Sequence, residues 1–477
     1  MCGIHALIIP TPSPPPLPPD LHQRLLARGP DHFGQVDRHH HLAADDNNNN
    51  NNTTTTWSLR FTSTVLALRG DHVARQPLVA DVSTDSSRSS GSVLCWNGEA
   101  WRVGGQLVQG NDGEVVFQRL VAAARGRGLE GVLDVLREVE GPFAFVYYDA
   151  PAGRVAGEAA EGWREVEADG VYVVEVGAGE APVRWDWVAG EGAGDFVSGI
   201  GRFNTALPAG NYPLTADSPA VEMLKQQLLE SLRLRVLNIP QPPRLDASGK
   251  TRVAVLFSGG LDCTVLARLC HEVLDPEHAV DLLNVAFENP RVVAQLRKES
   301  GSLPDFYEAC PDRVTGRRSF AELQKSSPGP QVPYTSPARV LLSGLGADEL
   351  FGGYSRHPSA FERSGYPGLI DELLLDVGRL GKRNLGRDDR AMAHWGKEVR
   401  FPFLDERLVK WAIETPAWEK CDFENGEQLS GLDAGKRILR LLAANLGMNS
   451  VAKEKKRAIQ FGSRTAKMRA GESKGPH

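Results

Sequence analysis

The chain has 477 residues, 41% of them apolar and 24% charged, with a formal net charge of −6. Such a composition is that of an ordinary globular protein long enough for two or three domains, and the mild negative balance gives no attraction to nucleic acid or to an anionic membrane. No apolar run approaches the roughly 18 residues of a membrane span.

The N-terminus, Met-Cys-Gly-Ile, has no basic n-region and is not expected to be a signal peptide. Six cysteines (Cys2, Cys95, Cys263, Cys270, Cys310 and Cys421) form no CxxC pair. Neither a disulfide framework nor a zinc site is expected, and a reducing, cytoplasmic compartment fits.

In chain order, the first predicted element is a strand over 4–9. The proline-rich run 10–19 can supply few ladder donors and is read as a loop. His39, His40 and His41 precede an Asn/Thr tract at 47–56, which reads as a disordered surface insertion. Short apolar runs predict strands at 65–68, 93–96, 143–148 and 171–176, with helices at 112–125 and 129–138. This half is α+β. Near residue 215 the pattern changes. A helix over 221–236 and a polar connector at 241–249 lead to a strand over 253–257 and a helix over 263–274. Further strands are predicted at 282–287 and 339–343. Strand and helix in that alternation predict a parallel α/β sheet. The expected domains are therefore 1–215 and 216–477.

Cys2 directly follows the initiator Met. Once Met is trimmed, the α-amine, with a reference pKa of about 7.7–8.0, is matched to take the thiol proton near neutral pH. Alone, this cysteine is either such a nucleophile or an incidental buried residue. It is followed by Arg28-Gly29-Pro30-Asp31, Leu68-Arg69-Gly70, Trp96-Asn97-Gly98-Glu99 and Asn111-Asp112-Gly113-Glu114. The series resembles the class II glutamine amidotransferase domain of the asparagine synthetases. The resemblance implies an N-terminal nucleophile sandwich in which Cys2 attacks the glutamine amide. Arg69 would clamp the substrate α-carboxylate, Asn97 and Gly98 would form the oxyanion hole, and Glu99 and Asp112 would hold the α-ammonium. The stretch Gly141 to Asp149 also fits. The strand and turn that usually follow are expected to be missing, because Arg154-Val155 runs into Ala156-Gly157-Glu158-Ala159.

Leu256-Phe257-Ser258-Gly259-Gly260-Leu261-Asp262 is a strand entering a glycine turn and then a helix. Glycines let backbone approach phosphate, and a helix N-terminus offers free N–H groups. Asp262 can hold a Mg2+ that bridges phosphates. With no Gly-Lys-Ser/Thr, a Walker loop does not fit. The run resembles the pyrophosphate loop (PP-loop) of enzymes that cleave ATP to AMP and pyrophosphate, the second domain of the same family.

That resemblance implies an adenine-nucleotide domain using ATP and Mg2+. Leu256 and Val285 would lie near adenine, with Ser258, Gly259, Gly260, Ser343 and Gly344 along the nucleotide. Asp348 would be a second metal ligand, and Lys436 would meet the pyrophosphate.

Two departures stand out. Leu345 occupies a position where the family carries Glu, and leucine cannot accept a proton. The stretch between Val285 and Ser343 looks shortened, with proline-rich 326–330 and 333–337 where a strand and helices are expected. Leu345 and the 453–464 run resemble the divergent branch of asparagine synthetase domain-containing proteins. The expected reaction couples glutamine hydrolysis to ATP-dependent amidation of a carboxylate, aspartate first. A different carboxylate acceptor and a scaffold or regulator with weakened catalysis stay open, as does a homodimer.

Overall fold

The computed structural model describes residues 2–42, 55–80, 91–157, 170–178, 181–187, 196–197, 200–241, 251–291, 293–294, 305, 307–324, 334–383, 385–426, 431–457 and 463. The Asn tract, most of the 241–249 connector, the 326–330 run and the end of the 453–464 run lie outside these residues. The chain divides into two compact units: Met1–Gly192 with Asn238–Asp246 and Asn384–Glu398, and Ala193–Leu237 with Ala247–Arg383 and Val399–His477.

In the first unit, β1 (Gly3–Ile9), β2 (His32–Leu42) and β3 (Thr55–Val65) form an antiparallel sheet in the order β1-β3-β2. A second antiparallel sheet contains β4 (Leu78–Val79), β5 (Val93–Gly98), β9 (Phe143–Asp149), β10 (Arg154–Gly157), β11 (Gly170–Glu175) and β12 (Val183–Asp186), ordered β12-β11-β10-β9-β5-β4. A small sheet joins β6 (Arg102–Val103), β7 (Gln106–Leu107) and β8 (Val139–Glu140).

Alternation along the strands builds the layers. Leu94, Trp96, Phe145 and Tyr147 point to the helix α2 (Asp112–Arg137), packing with Val116, Leu120, Leu133 and Leu136. Their neighbours Val93, Cys95, Val146 and Tyr148 point the other way, against Leu59 and Phe61 of β3. The larger sheet is thus buried on both faces, each fully buried apolar side chain stabilising by roughly 1.5–3 kcal/mol. Helix α1 (Pro19–Arg28) covers the first sheet on the opposite face through Leu25. The stack helix–sheet–sheet–helix is the expected α+β N-terminal nucleophile sandwich.

Gly128 (φ 59°, ψ −141°) kinks α2 where the sequence predicts two helices. Three expectations are corrected. The hairpin after Asp149 is present: Gly153 turns the chain at φ 65°, and β10 pairs with β9 (Arg154↔Asp149) and with β11. The Gly153 N–H closes the turn on Ala150 O at 3.3 Å. The strand expected at 65–68 ends at Val65, because Asp31 Oδ2 accepts the Ala67 N–H at 2.8 Å and draws the chain off the ladder. Thr55 and Thr56, expected to close the disordered insertion, open β3 and pair with Leu42 and His41 of β2.

The second unit carries a small hairpin of β13 (Phe196–Val197) and β14 (Gly201–Arg202) and a four-stranded sheet. That sheet runs β16 (Val280–Leu283), β15 (Val253–Leu256), β17 (Val340–Leu342), β18 (Glu398–Arg400). Strand β15 pairs in parallel with both β16 and β17. Helices α3 (Pro219–Val236) and α4 (Leu261–Val273) pack together, the second following β15. Helix α5 (Pro311–Gln324), the one-turn α6 (Ala347–Phe351) and the long α7 (Arg356–Arg383) follow. Helix α8 (Leu385–Ala393) lies in the first unit, and α9 (Glu406–Glu414), α10 (Arg437–Asn445) and α11 (Asn449–Ala452) in the second. With β16 on one side of β15 and β17 on the other, the chain reverses direction of travel across the sheet at β15. Open α/β sheets bind ligands at the carboxyl ends of strands at such a switch point. No helix among the described residues is long and apolar enough to cross a membrane.

Candidate functional sites

In the first unit, Cys2 is set at the mouth of β1. Gly3 N–H donates to Thr64 Oγ1 at 3.0 Å, and Thr64 Oγ1 donates to Leu25 O at 2.6 Å. A Cβ on Gly3 would stand 2.6 Å from that hydroxyl oxygen, so only glycine lets the chain start here. Arg28 Nε donates to Cys2 O at 3.1 Å. The Arg28-Gly29-Pro30-Asp31 run is thus an anchor, its Arg end on Cys2 and its Asp end on the loop after β3.

Cys2, Arg69, Gly98, Glu99 and Asp112 line one pocket. Asn97 does not line it, although its Oδ1 is buried with no hydrogen-bond partner among the described residues. Arg69 Nη1 lies 3.7 Å from Glu99 Oε2, its Nη2 donates to Val108 O at 3.1 Å, and its guanidinium sits 5.2 Å over the Trp101 ring. Asp112 Oδ2 accepts from Trp96 Nε1 at 3.0 Å and from the Ala100 N–H at 2.8 Å. Burial pushes the Asp112 carboxyl up, opposed chiefly by Arg69. Asn111 caps α2, accepting the Glu114 N–H at 3.2 Å, which fixes Asp112 in the first turn. Burial also pushes the Cys2 thiol up, while a backbone hydrogen bond at Leu66 pulls it down. A half-buried thiol in a pocket with a cation and carboxylates can recognise a zwitterion and needs a base to become nucleophilic.

In the second unit, the Ser258-Gly259-Gly260 turn leaves β15 and enters α4. Gly259 has φ 80°, and a Cβ there would stand 2.4 Å from Gly316 N. A Cβ on Gly344 would stand 2.9 Å from Asp262 Cβ, so the turn after β17 closes directly on the start of α4. Between the turns lies a charged cluster. Lys436 Nζ bonds Asp262 at 2.7 Å and 2.9 Å and Asp348 at 2.9 Å. Lys456 pairs with the other oxygen of Asp348.

Lys436 is only 4% exposed and takes a left-handed φ of 53° just before α10. Burial opposes its charge, but Asp262 and Asp348 outweigh burial and hold the ammonium protonated. Burial likewise opposes the charge on Asp348, and the two lysines hold it well below the usual carboxylate range.

Leu256 ends β15, paired with Leu283, whereas Val285 lies beyond β16 and is 54% exposed. Ser343 Oγ accepts the Leu345 N–H at 3.3 Å. Glu349 is taken by Tyr354, whose hydroxyl donates to it at 2.5 Å. Sequence reasoning left Lys456 and Trp101 without roles: one lies far down the chain in a lysine run, the other is an apolar residue whose partner only folding supplies.

Residues 335–372 and 364–475 match the asparagine synthase family model. The chain is 26% identical to asparagine synthetase domain-containing protein 1 of Bos taurus, over 95% of this chain and 94% of that one. It is also 26% identical to the protein of that name from Homo sapiens, over 86% of this chain and 88% of the other. Asparagine synthetase B (glutamine-hydrolyzing) of Escherichia coli is 34% identical over 85 residues, 17% of this chain and 14% of that enzyme.

The chain thus carries an N-terminal nucleophile sandwich followed by an α/β unit with a glycine turn at its switch point. The match to the asparagine synthase family model spans residues 335–475 of the chain. The chain's likeness over most of its length is to the domain-containing proteins.

Proposed function

We propose that the protein couples glutamine hydrolysis at Cys2 to ATP-dependent amidation of a carboxylate, aspartate being the first candidate. The observation that carries this reading is the Asp262–Lys436–Asp348 cluster, a buried lysine between two half-buried carboxylates, set between two glycine turns at the switch point of a parallel sheet.

In the first half-reaction the α-amine freed by loss of Met1 takes the Cys2 proton, and the thiolate attacks the glutamine amide. Arg69 offers two N–H groups to the α-carboxylate, and Glu99 and Asp112 receive the α-ammonium. Asn97 and Gly98 would stabilise the oxyanion. A Cβ on Gly98 would stand 2.5 Å from Phe143 Cβ, which keeps the end of β5 free of side chain.

In the second half-reaction the Ser258–Gly260 turn and Ser343–Gly344 cradle the phosphates of ATP, with adenine toward Leu256 and Val285. Asp262 and Asp348 suit a Mg2+ site, since that ion usually takes one or two carboxylates with phosphate oxygens. A Cβ on Gly353 would stand 2.0 Å from Asp348 Oδ1, so only glycine fits beside the oxygen that Lys436 reaches. When bound, Mg2+ neutralises phosphate charge. Lys436 holds its proton throughout and faces the leaving pyrophosphate.

A second reading, a scaffold or regulator with weakened synthetase activity, is favoured by Leu345 and by the shortened stretch between Val285 and Ser343. Purified protein given glutamine, ATP and aspartate tests both. Pyrophosphate release with asparagine detected by mass spectrometry supports the synthetase. Pyrophosphate with a different amide after a screen of carboxylates supports another acceptor. No pyrophosphate with any acceptor overturns the enzyme reading in favour of the scaffold.

A further inference from the structure

Gln76 is a buried amide that the scheme above leaves without a task. It is 5% exposed and lines the same pocket as Cys2, Arg69 and Gly98. The strand register explains its place. β4 pairs with β5 through Leu78↔Leu94 and Val79↔Val93, so two residues before Leu78 the position opposite Trp96 is Gln76. Its backbone has left that ladder for β2, where a Cβ on Gly34 would stand 2.1 Å from Gln76 O. The side chain fills the gap, and Gln76 Oε1 accepts the Trp96 N–H at 2.8 Å.

That bond also sorts the donors of β5. The Glu99 N–H goes to Pro142 O at 2.9 Å, on the β9 side. Successive N–H groups of a strand point to alternate edges. Those of Trp96 and Gly98 therefore share the edge that faces away from β9. Trp96 is answered there by Gln76, whereas the Gly98 N–H meets no acceptor among the described residues. Gln76 Nε2 likewise donates to no described residue. Leaving a buried donor unmade costs roughly 1–3 kcal/mol, which an oxygen of a bound ligand would recover. Two free donors thus lie on one strand edge in the pocket of the thiol, and Asn97 is not among the residues that line it.

We propose that Gln76 Nε2 is a second donor, beside the Gly98 N–H, to the γ-carbonyl oxygen of glutamine. This rests on the glutaminase reading above. As the Cys2 thiolate forms its C–S bond, the C=O π pair moves onto oxygen, and the oxyanion draws on both donors. The α-amine then returns its proton to the amide nitrogen, the C–N bond breaks, and ammonia leaves. The C=O re-forms in the thioester, and both hydrogen bonds weaken. Donors held in place before the charge develops need no reorganisation. Gln76 is held: its Oε1 is fixed on the Trp96 backbone, and Trp96 Nε1 donates to Asp112 at 3.0 Å.

The test is steady-state glutamine hydrolysis by the full chain, with alkylation by iodoacetamide as a separate measure of the Cys2 thiol, the other five cysteines being buried. Gln76→Glu keeps an oxygen for the Trp96 N–H and loses the donor. Gln76→Met stays neutral and loses both. Each is expected to lower kcat about 10²–10³-fold with KM changed by no more than about threefold, the mark of a bond made in the transition state. Gln76→Met is expected to react with iodoacetamide at the wild-type rate, since that displacement forms no oxyanion.

Gln76→Glu at the wild-type kcat overturns the proposal: Gln76 is then a prop for Trp96, and the glutaminase reading stands. A raised KM with kcat unchanged in both variants also overturns it, because the contact then serves binding alone. Alkylation of Gln76→Met slowed as much as its kcat does the same, since the thiol itself is then disturbed. A wild-type chain that hydrolyses no glutamine overturns the glutaminase reading and this inference with it.

Discussion

In the proposed reaction, Leu345 would put a side chain with no lone pair beside the place where an amine meets an activated acyl group. Ammonia must lose a proton as its C–N bond forms, and a positioned base is worth roughly 10²–10⁴-fold. Its neighbours do not replace that base: Asp348 is bound by two lysines and Glu349 by Tyr354. Wild-type protein supplied with ammonia, ATP and aspartate is therefore expected to form asparagine slowly or not at all. Leu345→Glu is expected to raise the rate, read by asparagine quantification. Asparagine formed by the unmodified chain at the rate of a biosynthetic enzyme would show that the base lies elsewhere.

Among the elements, the turn from β15 into α4 is the most constrained. Gly259→Ala would force a left-handed φ of 80° on a residue whose Cβ has Gly316 N 2.4 Å away. Strain of this kind costs on the order of 1–3 kcal/mol. Both a lower thermal midpoint of the second unit and at least a tenfold weaker Mg–ATP affinity are expected. An unchanged ATP titration would separate the turn from the nucleotide.

Helix α9 ends in another testable place. Lys420 is buried, donates to Ala412 O at 2.8 Å and lies 4.6 Å over the Phe203 ring. Burial lowers its pKa from 10.5 to about 8, with the neighbouring Cys421 opposing. Between these values the unfolded chain holds the proton that the folded chain has lost. Stability from this group therefore rises with pH from about 8 to about 10.5. The gain is on the order of 3 kcal/mol, at about 1.4 kcal/mol per pKa unit. Wild type should gain on Lys420→Met across that range in thermal melts, and a constant gap would refute the shift.

At the level of the whole molecule, the proposed scheme divides two chemistries between two sets of residues that share no member. Cys2→Ala is expected to abolish glutamine hydrolysis while leaving ammonia-dependent ATP cleavage near its starting rate. Asp262→Asn is expected to do the reverse, lowering ATP turnover by orders of magnitude and sparing the glutaminase. Parallel glutaminase and pyrophosphate assays of both variants check this. Glutamine hydrolysis surviving in Cys2→Ala would remove the nucleophile from the scheme.

Much of this organisation is legible in the chain because it is local. A β-branched run into Ser258-Gly259-Gly260 forms strand, turn and helix within a dozen residues, and the alternation in Phe143–Asp149 sorts each side chain to one of two cores without outside help. Arg69, Glu99 and Asp112 were named through the short motifs that carry the family resemblance, and the structure sets all three on one pocket. Local pattern could not show that Asn97 stands outside the pocket lining while its neighbour Gly98 lies within it.

What tertiary structure alone decided were pairings across long separations. The β9–β10 hairpin survives an unfamiliar turn because its ladder partner β11 holds it from the far side. The segment after Val65 leaves its sheet because Asp31, more than thirty residues earlier, takes its N–H. Lys436 and Lys456 converge on Asp348 from about ninety and more than a hundred residues away. Periodicity in sequence reports which face a side chain takes; it carries no record of which distant charge it will meet. Such contacts follow from how the elements pack.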